Sequence, residues 1–125
     1  MERATLKKPN FHDELKDLMD RYVHDVYRLA RQFPREEQYA SSAQLRRAAL
    51  SVVLNYIEGY ARFRGKVHKN FLEISYGSLQ ESKYLLDFSH KEGYLSDKEY
   101  NQIFSMAEEI GAMLWGILRK MNIDS

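Results

Sequence analysis

Apolar side chains recur at intervals of three and four along four separate stretches of this chain, each bracketed by residues that start or stop a helix. That period lines one face of a helix, whereas a strand would alternate every second residue. The first stretch follows Pro9-Asn10, with Asn10 placed to cap and Asp13 three residues on. It runs through Leu15, Leu18, Met19, Tyr22, Val23, Val26, Leu29 and Ala30. Phe33-Pro34 closes it, because a residue before proline is pushed out of the α region. The second opens at Ser41, where Gln44 completes an S-x-x-Q capping box. Its seam is Leu45, Ala48, Ala49, Val52, Tyr56 and Tyr60, with Gly65 as its stop. The third spans about Lys66 to Glu92, with a seam through Phe71, Ile74, Ser78, Leu85 and Phe88 or Ser89. Gly93 then suits a left-handed cap, which favours a residue without Cβ. Ser96 and Glu99 form another box, and the fourth stretch carries Tyr100, Ile103, Phe104, Ala107, Ile110, Leu114, Leu118 and Met121.

Helices of about 20 to 26 residues span roughly 30 to 39 Å. Equal lengths and short connections make antiparallel neighbours the simplest packing. The fold expected is all-α, an antiparallel up-down-up-down four-helix bundle in one domain over residues 1–125. Residues 1–10 are expected to be a flexible N-terminal segment, and the loop from Phe33 to Ala40 to project beyond the bundle end. With 125 residues, six Gly and two Pro, the chain favours long elements over a turn-rich β fold. It has no Cys, which excludes disulfides, thiolate metal sites and cysteine nucleophiles. No apolar run reaches the roughly 18 to 20 residues of a membrane span, and the charged start MERATLKKPN is no secretory signal. A cytoplasmic protein with no membrane partner is the expectation.

Two helices carry more apolar surface than a bundle needs. In the second, Leu45, Ala48, Ala49, Val52, Val53, Tyr56, Ile57 and Tyr60 cover more than half the circumference. In the fourth, the nine residues Ile110 to Leu118 contain neither a charge nor a hydroxyl. One reading is a broad core with tolerated surface hydrophobics. The favoured one is that identical subunits cover these faces. Nine Tyr and the lone Trp115 suit such interfaces, having apolar bodies and polar tips.

Polar residues are also periodic. Gln44, Arg47, Ser51, Asn55 and Glu58 form a stripe beside the apolar seam of the second helix, and Glu81 lies on the third. Structural bonding at a helix or subunit interface is the leading reading; a ligand cluster of Arg47, Asn55, Glu58 and Glu81 is the alternative. Gly77, Gly111 and Gly116 each cost a helix about 1 kcal/mol relative to Ala, so close helix approach is expected at them. No Glu has a His three residues later, as di-metal bundles require. Phosphate-binding glycine loops and nucleophile elbows are missing too. The chain reads as no enzyme, with no cofactor, metal or catalytic residue.

A net charge of +1 conceals segregation. Residues 31–70 carry Arg31, Arg35, Arg46, Arg47, Arg62, Arg64, Lys66 and Lys69 against three acids, whereas residues 71–125 are net negative. Arg62, Arg64, Lys66, His68 and Lys69, interleaved with Tyr60 and Phe63, concentrate where the second and third helices meet. Repeated around a closed ring, this cluster would attract phosphate backbones without reading sequence. The alternative is a solvated helix junction.

Phe33-Pro-Arg-Glu-Glu37, Gln44-Leu-Arg-Arg-Ala48, Ser51, Asn55, Glu58-Gly59, Phe71-Leu72, Gly77-Ser-Leu79 with Glu81, and Gly93-Tyr-Leu95 keep a recognisable order and spacing. They resemble the bacterial four-helix bundle proteins encoded within intervening sequences of 23S ribosomal RNA genes, from Phe11 to about Met121. That resemblance implies a five-subunit ring. It extends to the accessory variability determinant of diversity-generating retroelements, a basic pentamer that binds nucleic acid and its reverse transcriptase. Arg46 and Arg47 fall on the shared motif, which implies an interface or nucleic-acid role for them. The low net charge departs from the retroelement proteins.

The function expected is therefore that of a non-enzymatic homo-oligomeric accessory protein whose partners are its own copies, RNA or DNA, and a reverse transcriptase or other protein. Arg35, Arg46, Arg47, Arg62, Arg64, Lys66 and Lys69 are the nucleic-acid candidates. Gln44, Arg47, Ser51, Asn55, Glu58, Glu81 and Trp115 are the interface candidates. A protein-binding scaffold without nucleic acid is the alternative, and an enzyme built on the polar cluster the remote one.

Overall fold

The computed structural model describes residues 10–62 and 65–124. They form α1 (Phe11–Ala30), a 3-10 turn (Arg35–Glu37), α2 (Ser41–Tyr60), α3 (Gly65–Lys91) and α4 (Asp97–Asp124), with no strand among the described residues. α1 packs along α2 and α4, α3 packs along α2 and α4, and neither diagonal pair brings its backbones together among the described residues. The α2–α3 contact is the most extensive. Side chains at the start of α1 meet the end of α2 (His12 with Tyr56 and Tyr60), and the end of α1 meets the start of α2 (Ala30 with Ser42). The four helices form a four-helix bundle around one buried cluster.

Most boundary signals act locally as expected. The Asp13 N–H donates to Asn10 Oδ1 at 2.8 Å. At α4, the Ser96 N–H donates to Glu99 Oε1 and the Glu99 N–H to Ser96 Oγ, closing the capping box reciprocally. Gly93 has φ of 83°, and the Tyr94 N–H bonds back to the Ser89 carbonyl at 2.8 Å. A side chain at Gly93 would meet the left-handed penalty.

Three boundaries differ. The box at Ser41 does not form: Ala40 is the N-cap, without a side-chain bond, and Ser41 Oγ donates to Glu37 in the preceding turn. α1 ends at Ala30, so Phe33 is a buried loop residue whose ring lies 5.3 Å from that of Tyr94. α2 ends at Tyr60, and Gly65 begins α3 instead of stopping α2. The loop after α1 is pinned by Gln38, whose Nε2 donates to the carbonyls of Ala30 and Phe33 at 3.1 and 2.9 Å. Those bonds satisfy acceptors a helix end leaves open. Tyr39 projects fully, 97% exposed.

α3 turns inward a face that shares only Leu85 and Ser89 with the expected seam. Leu72, Ser75, Leu79, Ser82, Leu86 and Ser89 alternate at spacings of three and four, and all are fully buried. Ile74 is 50% exposed. Each buried serine hydroxyl is satisfied: Ser75 Oγ donates to the Val52 carbonyl at 2.6 Å, Ser82 to Leu79 and Ser89 to Leu85. Tyr22 Oη reaches Ser82 Oγ at 2.7 Å. Alternating large and small residues lets α2 approach closely, and the hydrogen bonds remove the penalty of burying hydroxyls.

Close approach also explains two glycines. A Cβ on Gly59 would lie 3.2 Å from Phe71 Cβ, and one on Gly111 3.3 Å from Leu79 Cδ2. Gly77 and Gly116 have no neighbour within 4 Å of such an atom, so helix approach does not account for them.

Candidate functional site

The basic candidates divide between opposite ends of α2. Arg35, Arg46 and Arg47 lie around its start, and Arg62, Lys66 and Lys69 beyond its end. Arg47 and Arg62 are fifteen positions apart, which corresponds to about 22 Å along a helix. Arg46 is a structural residue: its guanidinium donates to the carbonyls of Ser42 and Gln38 and lies over the Tyr27 ring at 5.9 Å. Arg47 and Arg35 are exposed and form no ion pair among the described residues. Arg62 pairs with Glu58 and covers the Phe71 ring at 5.6 Å, so its charge is partly compensated. Arg64 and Phe63 lie outside the described residues.

Lys66 is exposed and Lys69 half-buried, and neither carries an ion pair among the described residues. Three further cations gather at the same end: Lys16 from the first turns of α1, and Arg119 and Lys120 from the last turns of α4. None of these three is ion-paired among the described residues either. Segment-by-segment charge counting misses them, because they come from chain segments that are neutral or acidic overall. The bundle arithmetic that sets α1 and α4 side by side is the signal that finds them.

Rings fill the middle of this end. Tyr56 Oη lies 2.9 Å from His12 Nδ1, and Tyr60 Oη 3.2 Å from His12 Nε2. A neutral imidazole has one N–H and one bare nitrogen. In that form one tyrosine hydroxyl would accept from His12 and the other would donate to it. The Tyr60 ring is edge-on to both His12 and His68, with centroids 4.5 and 4.4 Å away. Burial raises the Tyr56 hydroxyl far above the ordinary phenol range, with Tyr60 adding to it.

His68 Nε2 is buried without a hydrogen-bond partner among the described residues. Burial, and then His12 nearby, holds its pKa below the ordinary 6.5. The groups around it are Tyr60 and His12 from the adjoining helices, with Gly59 and Phe71 beneath. As pH falls through about 6.5, the unfolded chain takes up a proton that folded His68 resists, so stability declines toward acid. Urea midpoints should drop between about pH 7 and pH 5, and His68→Gln should flatten that slope. An unchanged slope in the variant would assign the acid sensitivity elsewhere.

The polar stripe resolves into structural bonds and free groups. Ser51 Oγ meets Ser78 Oγ at 2.8 Å, and Asn55 Nδ2 donates to both Ser51 O and Ser51 Oγ at 2.9 Å. Glu58 is engaged by Arg62. Gln44, Arg47 and Glu81 are exposed and make no such bonds among the described residues. The Ser51–Ser78 bond ties α2 to α3. Among the described residues no three His, Asp or Glu converge as metal ligands would.

Exposed apolar side chains are the remaining feature. Leu50, Leu54 and Ile57 stand on one line of α2, opposite its buried face, at 37%, 54% and 48% exposure. Leu50 and Leu54 escape a sequence reading that looks for the core seam. Trp115 is also half exposed, its ring 6.0 Å from that of Tyr76.

Residues 14–116 match the family described as 23S rRNA-intervening sequence protein. The chain belongs to that family. Its fold is similar to a crystal structure of a protein of unknown function from the S23 ribosomal protein family of Bacteroides thetaiotaomicron, with a TM-score of 0.78 and 21% identity. The match covers 83% of this chain and 97% of that one. At that identity the similarity establishes the fold. No curated protein matches the chain. No helix among the described residues of this 23S rRNA-intervening sequence family member is long and apolar enough to cross a membrane.

Proposed function

We propose that this chain is a non-enzymatic, homo-oligomeric accessory protein that holds nucleic acid by its phosphate backbone. The observation that carries this reading is the group of five cations, Lys16, Lys66, Lys69, Arg119 and Lys120, around one end of the bundle without an ion pair among the described residues. Cations not already paired can neutralise phosphates and release the counterions condensed around a nucleic acid. The end-to-end pairing of α1 with α2 supports an antiparallel up-down-up-down course. The exposed line on α2 supports covering by a second copy, and a closed five-membered ring would repeat the cationic end and sum its field. Arg47, exposed and without an ion pair among the described residues, remains available to the opposite end of such a ring.

A scaffold that binds only protein is the second reading, favoured by the exposed Tyr39 and Trp115. Salt dependence separates the two. Binding of a labelled RNA or DNA should weaken steeply between low and moderate salt. The triple variant Lys66→Glu, Lys69→Glu, Lys120→Glu should lower the salt slope by about one for each phosphate that is no longer neutralised. Failure to bind either nucleic acid at low salt would leave the scaffold.

A further inference from the structure

Two clefts adjoin at the cationic end and share a wall. One, of about 470 Å³, is lined by Phe11, His12, Tyr60, Gly116 and Lys120 among others. The other, of about 360 Å³, is lined by His12, Asp13, Lys16, Tyr56, Ile57 and Tyr60 among others. The shared partition is the His12–Tyr60 ring pair, fixed by its hydrogen bond and backed by His68. Each cleft is thus lined by aromatic rings and by one lysine that has no ion pair among the described residues. Their volumes lie in the lower part of the range typical of small-ligand sites.

Gly116 supplies an independent observation. It lies inside the long helix α4, where glycine is unfavourable, yet nothing packs within 4 Å of the position its Cβ would take. Close helix packing therefore does not explain the residue. What its missing side chain does is leave the floor of the larger cleft open, beside Phe11 and Lys120.

We propose that these clefts take two successive unpaired bases of a single strand, one on each side of the His12–Tyr60 partition, with Lys120 and Lys16 holding the flanking phosphates. The proposal rests on the nucleic-acid reading above and adds the strand state it selects. Bases in a duplex are stacked on one another and cannot enter; unpaired bases stack on any ring face, whatever their sequence. Asp13 makes the smaller cleft the weaker phosphate site.

The test uses a fluorescein-labelled oligothymidylate and a labelled duplex of equal length, in fluorescence anisotropy at low salt. The full chain should bind the oligothymidylate more tightly than the duplex. Gly116→Leu fills the larger cleft and should weaken oligothymidylate binding about ten-fold, leaving duplex binding unchanged, as expected when one base can no longer stack. Phe11→Ala should act in the same direction. Gly116→Ala adds only a methyl, which meets nothing within 4 Å, and should weaken oligothymidylate binding less than Gly116→Leu does. The clefts are overturned, and the phosphate reading survives, if Gly116→Leu binds oligothymidylate as the parent does while the duplex is still bound. A changed sedimentation coefficient in Gly116→Leu would give the cleft to a neighbouring subunit and equally overturn the proposal. If neither probe binds, both readings fall together.

Discussion

Leu79→Ala should destabilise the protein by about 2 to 5 kcal/mol, whereas Ile74→Ala should stay within about 0.5 kcal/mol in the isolated subunit. Leu79 is fully buried on α3, and its Cδ2 packs against the glycine at 111 on α4. Truncation removes a branched side chain where the opposing residue has nothing to move into the gap, so the cavity cost adds to the transfer cost. Ile74 is half exposed and loses little on truncation. Urea denaturation followed by circular dichroism, repeated at several protein concentrations, measures both. A destabilisation at Ile74 that grows with concentration would report a subunit interface, because association stabilises by mass action. A concentration-independent effect at Ile74 as large as that at Leu79 would mean that α3 presents the other face to the core.

That contrast marks where sequence legibility ends. α1 and α4 are readable because their inward positions are nearly all aliphatic or aromatic, and Asn10, Gly93 and the Ser96–Glu99 box act through bonds within a few residues. α3 is harder because half of its inward positions are serines. A hydropathy pattern passes over Ser75 and Ser82, holds Ser89 only as an alternative to Phe88, and promotes Ile74 to the seam. The hydroxyls are tolerated inside only because helical carbonyls and Tyr22 lie within reach, and that is a fact of tertiary placement. The S-x-x-Q pattern at Ser41 fails for a related reason: a competing acceptor, Glu37, stands one turn earlier. The candidate site shows the same division. Lys66 and Lys69 are visible as a local charge cluster, but Lys16, Arg119 and Lys120 join them only through the packing of α1 and α4. Arg46 and Arg47 look alike in sequence, yet one is bound to carbonyls and the other is free among the described residues.

The second large effect concerns the outer line of α2. If copies of the chain cover this line as proposed, the double variant Leu54→Glu, Ile57→Glu should yield single subunits while leaving helix content unchanged. Both side chains are about half exposed, and both point away from the core residues Leu45, Val52 and Tyr56. A carboxylate there costs the lone subunit little, since it is hydrated and glutamate is a good helix former. Buried against a second copy, the same carboxylate would lose its hydration without a partner, at a cost of several kcal/mol. In a closed ring every subunit uses two interfaces, so no arrangement of copies avoids the charges. Sedimentation velocity beside far-ultraviolet circular dichroism gives both readouts. If the variant keeps the parental sedimentation coefficient, the covering face lies elsewhere, and the Tyr76–Trp115 side of the bundle becomes the surface to alter next. A parental chain that sediments as one subunit would instead leave Leu50, Leu54 and Ile57 uncovered, and the summed field invoked for phosphate capture would shrink to the five cations of a single bundle end.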